Sequence, residues 1–177
     1  MRRFLDRLYA ASGALAAVCL AFIAVVMLAQ AGMRELGMLL RGADDIVAWL
    51  CAATAFLALG HTFRRGELVR IGLLIDHLPL RVRRPVNLAA LAITVLFVGY
   101  MAYAVARFVF ESWQFSEVAQ GLIQIPIWIP QTSFVLGALI LFVAVLDEFV
   151  VLARGGKPAY ETAEEERRAR KDFSETV

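Results

Sequence analysis

Charge is absent from most of this chain. Leu8–Met33 runs 26 residues without an acidic or basic side chain, Ile46–Phe63 runs 18, Pro85–Ala106 runs 22 and Val118–Leu146 runs 29, the last most apolar from Ile125 onward. A helix rises 1.5 Å per residue and a hydrocarbon core is about 30 Å thick, so roughly 20 apolar residues cross it once. Each block is therefore expected to span. With 60% hydrophobic residues among 177 and a mean hydropathy of +0.69, no sizeable water-soluble domain is left over. The expected fold is an all-α membrane protein with spans near 8–33, 46–63, 86–110 and 127–152. Residues 1–153 would form one four-helix domain and 154–177 a charged tail.

Reactive chemistry is scarce as well. The two cysteines, Cys19 and Cys51, fall inside predicted spans and form no C-x-x-C pair, so they read as packing residues. A quinone-linked thiol oxidase would need paired cysteines at the outer surface. Haem held among four helices needs axial ligands on facing helices, and His61 and His77 do not supply them. No phosphate loop, metal cluster or nucleophile–base set is present. The block centres lack the ionisable residues and helix breaks that mark self-sufficient transporters. These absences predict no enzyme activity, no cofactor, no metal site and no nucleic-acid partner. A four-helix haem- or quinone-linked redox protein and an independent small exporter are the alternatives. A Soret band, or solute flux through the isolated chain, would favour one of them.

The charge that is present is sorted. Of 18 Lys and Arg, three precede the first block (Arg2, Arg3, Arg7), six lie between residues 64 and 84, and six follow residue 153. The other two loops hold only Arg34 and Arg41, and Arg107 lies within the third span. The positive-inside rule then predicts cytoplasmic termini and a cytoplasmic 64–84 segment. The motif Ala29-Gln30-Ala31 imitates a signal cleavage site, but the apolar run before it exceeds the roughly 7–15 residues of a signal core. The first span is expected to be retained.

Local signals refine this picture. Small residues crowd the first span (Ala10, Ala11, Ser12, Gly13, Ala14, Ala16, Ala17), as a helix contact or as lipid-facing alanine. Asp44 and Asp45 suit the cap and first turn of the second span. Arg107 stands four residues before Glu111, the spacing of a helical ion pair; a partner contact is the alternative. In the outer loop after Glu117, Pro126 and Pro130 flank Trp128 where a helix would start, and would fix its direction. Asp147 and Glu148 end the fourth span and read as a solvated helix end, with pairing to the arginines of 64–84 or of a partner as the alternative. The tail carries Glu164 and Glu166 four residues before Arg168 and Arg170, the ordering of an exposed helix.

The segment RRGELVRIGLLIDHLPLRVRR, residues 64–84, is too charged to span and too apolar for a solvated loop. Leu68, Ile71, Leu74, Ile75 and Leu78 fall along one helical side, with Arg70, Asp76 and His77 elsewhere. A helix lying in the interface, arginines among anionic headgroups, fits this pattern. An extended strand docked on another protein is the alternative. The stretch G-E-L-V-R-I-G-L-L-I-D-H-L-P resembles the cytoplasmic signature of the small membrane subunits of tripartite ATP-independent periplasmic (TRAP) transporters. So does I-P-x-W-x-P at Ile125, Pro126, Trp128 and Pro130, followed by Gly137 and by an acid at Glu148. Leu68, Gly72 and Val135 depart from the residues common in that family, namely His, an acid and proline.

The resemblance implies a four-span accessory subunit clamped along a large permease subunit. A periplasmic binding protein would deliver a carboxylate such as a dicarboxylate or sialic acid, and a sodium or proton gradient would drive uptake across the inner membrane. Arg70, Asp76, Arg107, Glu117, Pro126, Trp128, Pro130 and Glu148 would be the residues meeting a partner.

Overall fold

The computed structural model describes residues 2–65 and 80–156, with side chains from 5 and from 84 onward. Four helices account for most of them: α1 (Arg2–Glu35), α2 (Ala43–Arg64), α3 (Leu80–Gln114) and α4 (Trp128–Ala153). All four are long and apolar enough to cross a membrane. Among the described residues there is no strand, only a bridge between Val118 and Pro126. The fold is the expected one, all-α with four potential spans.

The helices overrun the uncharged blocks. α1 starts at Arg2 and α3 at Leu80, because arginine and leucine are both strong helix formers and a chain leaving lipid satisfies its own backbone until it meets water. The boundaries of the 64–84 segment are corrected accordingly. Arg64 is the last residue of α2, and Leu80–Arg84 are the opening turn of α3. Residues 66–79, with Arg70, Asp76 and the apolar stripe of Leu68–Leu78, lie outside the described residues, as does the tail from 157. A second correction concerns α2's start. Gly42 caps it with a left-handed backbone (φ 82°), while Asp44 and Asp45 lie in the first turn, where negative charge suits the dipole.

The helices stand in a row, α1–α2–α4–α3. α2 packs on α1 and α4, α4 packs on α2 and α3, and α1 only grazes α4. Burial is greatest on α4: 44% of its most apolar stretch is buried, against 11–17% in the other three. The small residues of α1 divide between both expected roles. Ser12 and Ala16 are buried against α2 with Tyr9, and Gly13 meets the His61 ring, while Ala10, Ala11, Ala14 and Ala17 face outward. On α3 the buried Leu91, Val98, Ala102 and Val109 follow steps of seven, four and seven, a coiled-coil-like seam against α4.

The α2–α4 contact at the middle of the row is the tightest. A Cβ at Gly137 would run into the Phe56 backbone carbonyl, and one at Gly60 would lie 2.5 Å from Ile140 Cγ2. Phe56 and Phe134 stack beside this crossing, ring centroids 4.9 Å apart. Since lipid tails are as apolar as the side chains, close backbone approach and dispersion must join these helices.

α4 ends in a Schellman turn: Gly156 N–H donates to the Val151 carbonyl (2.9 Å), Gly155 N–H to that of Leu152 (3.0 Å), and Gly155 holds φ 84°. Gly155→Ala is expected to cost about 1–2 kcal/mol by forcing a Cβ into the left-handed region. An unchanged thermal unfolding midpoint in detergent would contradict that geometry.

Candidate functional site

Antiparallel alternation brings the start of α1, the end of α2, the start of α3 and the end of α4 to one end of the row, called here the termini end. The loops 36–42 and 115–127 occupy the other, the loop end. Each end carries a polar assembly that ties helices together.

At the termini end Arg64 reaches across three helices. Its Nη1 donates to Glu148 Oε1 at 2.7 Å and Asp147 Oδ2 at 3.2 Å, and its Nη2 donates to Asp6 Oδ1 at 3.0 Å. The side chains of Glu148 and Arg64 are 2% and 16% exposed, so the pair is largely withdrawn from solvent. The guanidinium lies over the Tyr9 ring, 5.8 Å from its centroid. Beside it, the Tyr9 carbonyl accepts from His61 Nδ1 at 3.1 Å, which fixes the proton on that nitrogen. One helical turn further in, the buried Ser12 hydroxyl donates to the Leu57 carbonyl at 2.7 Å. The reading of Asp147 and Glu148 as a solvated helix end is overturned, because Arg64 draws both inward. Leaving a buried carboxylate without its guanidinium is costly, whereas the attraction of the intact pair is largely offset by desolvation. The assembly therefore fixes which helices lie together more than it adds stability.

At the loop end a short hairpin-like turn folds over the start of α2. Ala119 N–H donates to the Ile125 carbonyl (2.9 Å) and Ile127 N–H to that of Glu117 (3.0 Å). Asp45 Oδ2 accepts from Ile123 N–H at 3.1 Å, and the same carboxylate fills the space beside Gly121. Ile123 rests against Gly42, and Gln30 of α1 donates to Asp44 at 3.0 Å. Asp45→Ala is expected to cost about 1–2 kcal/mol, the loss of a partly buried bond to a charged acceptor. Amide exchange at Ile123 should accelerate. Protection at the wild-type level would remove Asp45 from this role.

The residues singled out from sequence are not gathered into one cluster. Arg70 and Asp76 lie outside the described residues. Arg107 is exposed on α3 and paired with Glu111 (Nε–Oε1 2.8 Å), as its spacing predicts. Glu117 and Pro126 are exposed in the loop, and Trp128 and Pro130 are partly buried in the first turn of α4. Glu148 is at the opposite end, facing Arg64 within the chain. The alternative that Asp147 and Glu148 pair with the arginines of 64–84 holds for Arg64. Sequence reasoning missed Asp6, Tyr9 and Asp45 as linking residues, though a signal existed for Asp6. Asp6, Arg64 and Asp147–Glu148 each border an uncharged block on the same side, so opposite charges were due at one depth.

A protein of four helices able to cross a membrane, with polar contacts that lock its own helices, is the class these features define. Residues 23–155, about three quarters of the chain, match the family of DctQ components of tripartite ATP-independent periplasmic transporters. The chain belongs to this family as a small membrane subunit, in agreement with the two sequence signatures. No curated protein of similar sequence was found.

Proposed function

We propose that this subunit is the static brace of a secondary-active uptake system. It holds a large permease subunit while that subunit moves substrate, a carboxylate handed over by a periplasmic binding protein and driven by a sodium or proton gradient. The subunit itself performs no catalysis and no transport. Its termini end, with the 66–79 segment, faces the cytoplasm, since fifteen of its eighteen basic residues lie on that side. There the arginines meet anionic headgroups. The loop end faces the periplasm of an inner membrane.

The observation carrying this reading is where the family member keeps its buried charge. The Arg64 assembly closes the end of the helix row, and the four blocks between the ends hold no Asp, Glu, Lys or Arg to carry an ion or substrate through the bilayer. The row also leaves wide apolar faces on α1 and α3 for neighbours.

Affinity purification of the tagged chain, expressed with its neighbouring genes, tests this. A large polytopic membrane protein should be retained in stoichiometric amount. Recovery of the chain alone, from membranes that contain such a permease, would contradict it.

A further inference from the structure

α1 and α3 both end the row with one face uncovered, but the two faces differ in chemistry. The outward side of α1 through its middle is aliphatic or aromatic hydrocarbon: Leu20 is 59% exposed, Phe22 55%, Val25 60% and Leu28 74%. Acyl chains cover such a face without loss. On α3 the side opposite the α4 seam carries Leu96 together with Phe97, Tyr100, Tyr103, Arg107 and Phe110, the last five at successive steps of three or four residues. Tyr100 is 71% exposed, Tyr103 62%, and the Arg107 side chain 65%.

The depth of these groups follows from the packing of α3 on α4. Gly99 sits against the Phe142 ring, 3.0 Å from where its Cβ would be. Phe142 stands 14 residues from Trp128 and 6 from Glu148. At 1.5 Å per residue that is about 21 Å and 9 Å, so Tyr100 and Tyr103 lie within the hydrocarbon and Arg107 about 10 Å below the level of Trp128. Arg107 bonds Glu111 and stands one helical turn beyond Tyr103, which makes a polar ladder running from mid-membrane toward the loop end. Aromatic residues with polar tips favour the headgroup level, and intramembrane charges turn toward a bundle interior. Here the ladder points out of this chain's own bundle.

We infer that the Tyr100–Tyr103–Arg107 face of α3 is where the permease subunit docks, and that α1 is the lipid-facing edge. The inference rests on the brace reading above and adds which side of the row carries the load. The occupant would be a transmembrane helix presenting hydrogen-bond acceptors, hydroxyl or carbonyl oxygens, at mid-membrane depth. Size agrees. Four aromatic side chains of roughly 150–250 Å² each, more than half exposed, give with Leu96 and Arg107 on the order of 800 Å². That is about one partner's share of a standard interface.

Photocrosslinking in the assembled complex tests this, with p-benzoyl-phenylalanine replacing Tyr100 in one full-length chain and Phe22 in another. Illumination should join the Tyr100 position to the permease and leave the Phe22 position without a protein adduct. Tyr103→Phe with Arg107→Gln should lower the permease retained roughly fivefold, at about 1 kcal/mol of intramembrane hydrogen bonding, with the yield of the chain itself unchanged. Permease adducts from Phe22 and none from Tyr100 would overturn the inference, as would Tyr100 adducts to a second copy of this chain or full retention by the double variant. Failure of the unsubstituted chain to retain any permease would overturn the brace reading itself, and this inference with it.

Discussion

Arg64→Ala is expected to destabilise the helix row by about 3 kcal/mol, the lower end of the cost of removing one partner from a buried ion pair. Glu148 is 2% exposed and has Arg64 at 2.7 Å. Asp147 shares that guanidinium, so two acids on α4 and Asp6 on α1 would be left without it. Equilibrium unfolding in detergent micelles should show the loss. Arg64→Met combined with Glu148→Leu should recover most of it, since apolar replacement of a buried pair removes the desolvation penalty together with the attraction. A comparison variant, Arg107→Ala, removes an exposed pair and should leave the unfolding midpoint in place. If Arg64→Ala unfolds like the wild type, the cluster is not what holds α1, α2 and α4 in order.

The second large effect concerns the α2–α4 crossing. Gly137→Leu is expected to cost about 3 kcal/mol, toward the upper part of the range for overpacking, because the obstacle is the Phe56 backbone and cannot rotate away. Gly60→Ala should also destabilise, since Ile140 Cγ2 sits on a buried β-branched side chain held in one helical rotamer, but by less, because only a methyl is added. Gly32→Ala, with no atom within 4 Å of the new methyl, should be neutral or stabilise by up to about 1 kcal/mol through helix propensity. This ranking separates a true close approach from a general intolerance of substitution. Equal effects at Gly137 and Gly32 would refute it.

The hydropathy blocks marked four helices long enough to span, and Trp128 opens α4 one residue from the expected start. They fell about six residues short at the starts of α1 and α3, because hydropathy registers only the part of a helix that needs lipid. Arg2–Arg7 and Leu80–Arg84 remain helical in the polar zone, where apolar content no longer reports on backbone state. Neighbour relations were also hidden. Nothing along the chain says that α4 lies between α2 and α3, so Gly137 could be noted in a signature without its contact to Phe56 being visible. Glu148 was found, but its environment was misjudged. A charge at the edge of an apolar run looks solvated until the arginine of a distant segment proves to lie at the same depth. Arg107 was the opposite case: its pair is local, four residues away, and therefore readable.

Solute uptake by reconstituted vesicles bears most directly on the claim that this chain braces and does not carry. Liposomes containing the purified subunit alone, given an inward sodium or proton gradient and labelled carboxylates, should take up no more than protein-free vesicles. Uptake should arise when the permease subunit and the binding protein are added. Gradient-driven accumulation by the subunit alone would contradict the account.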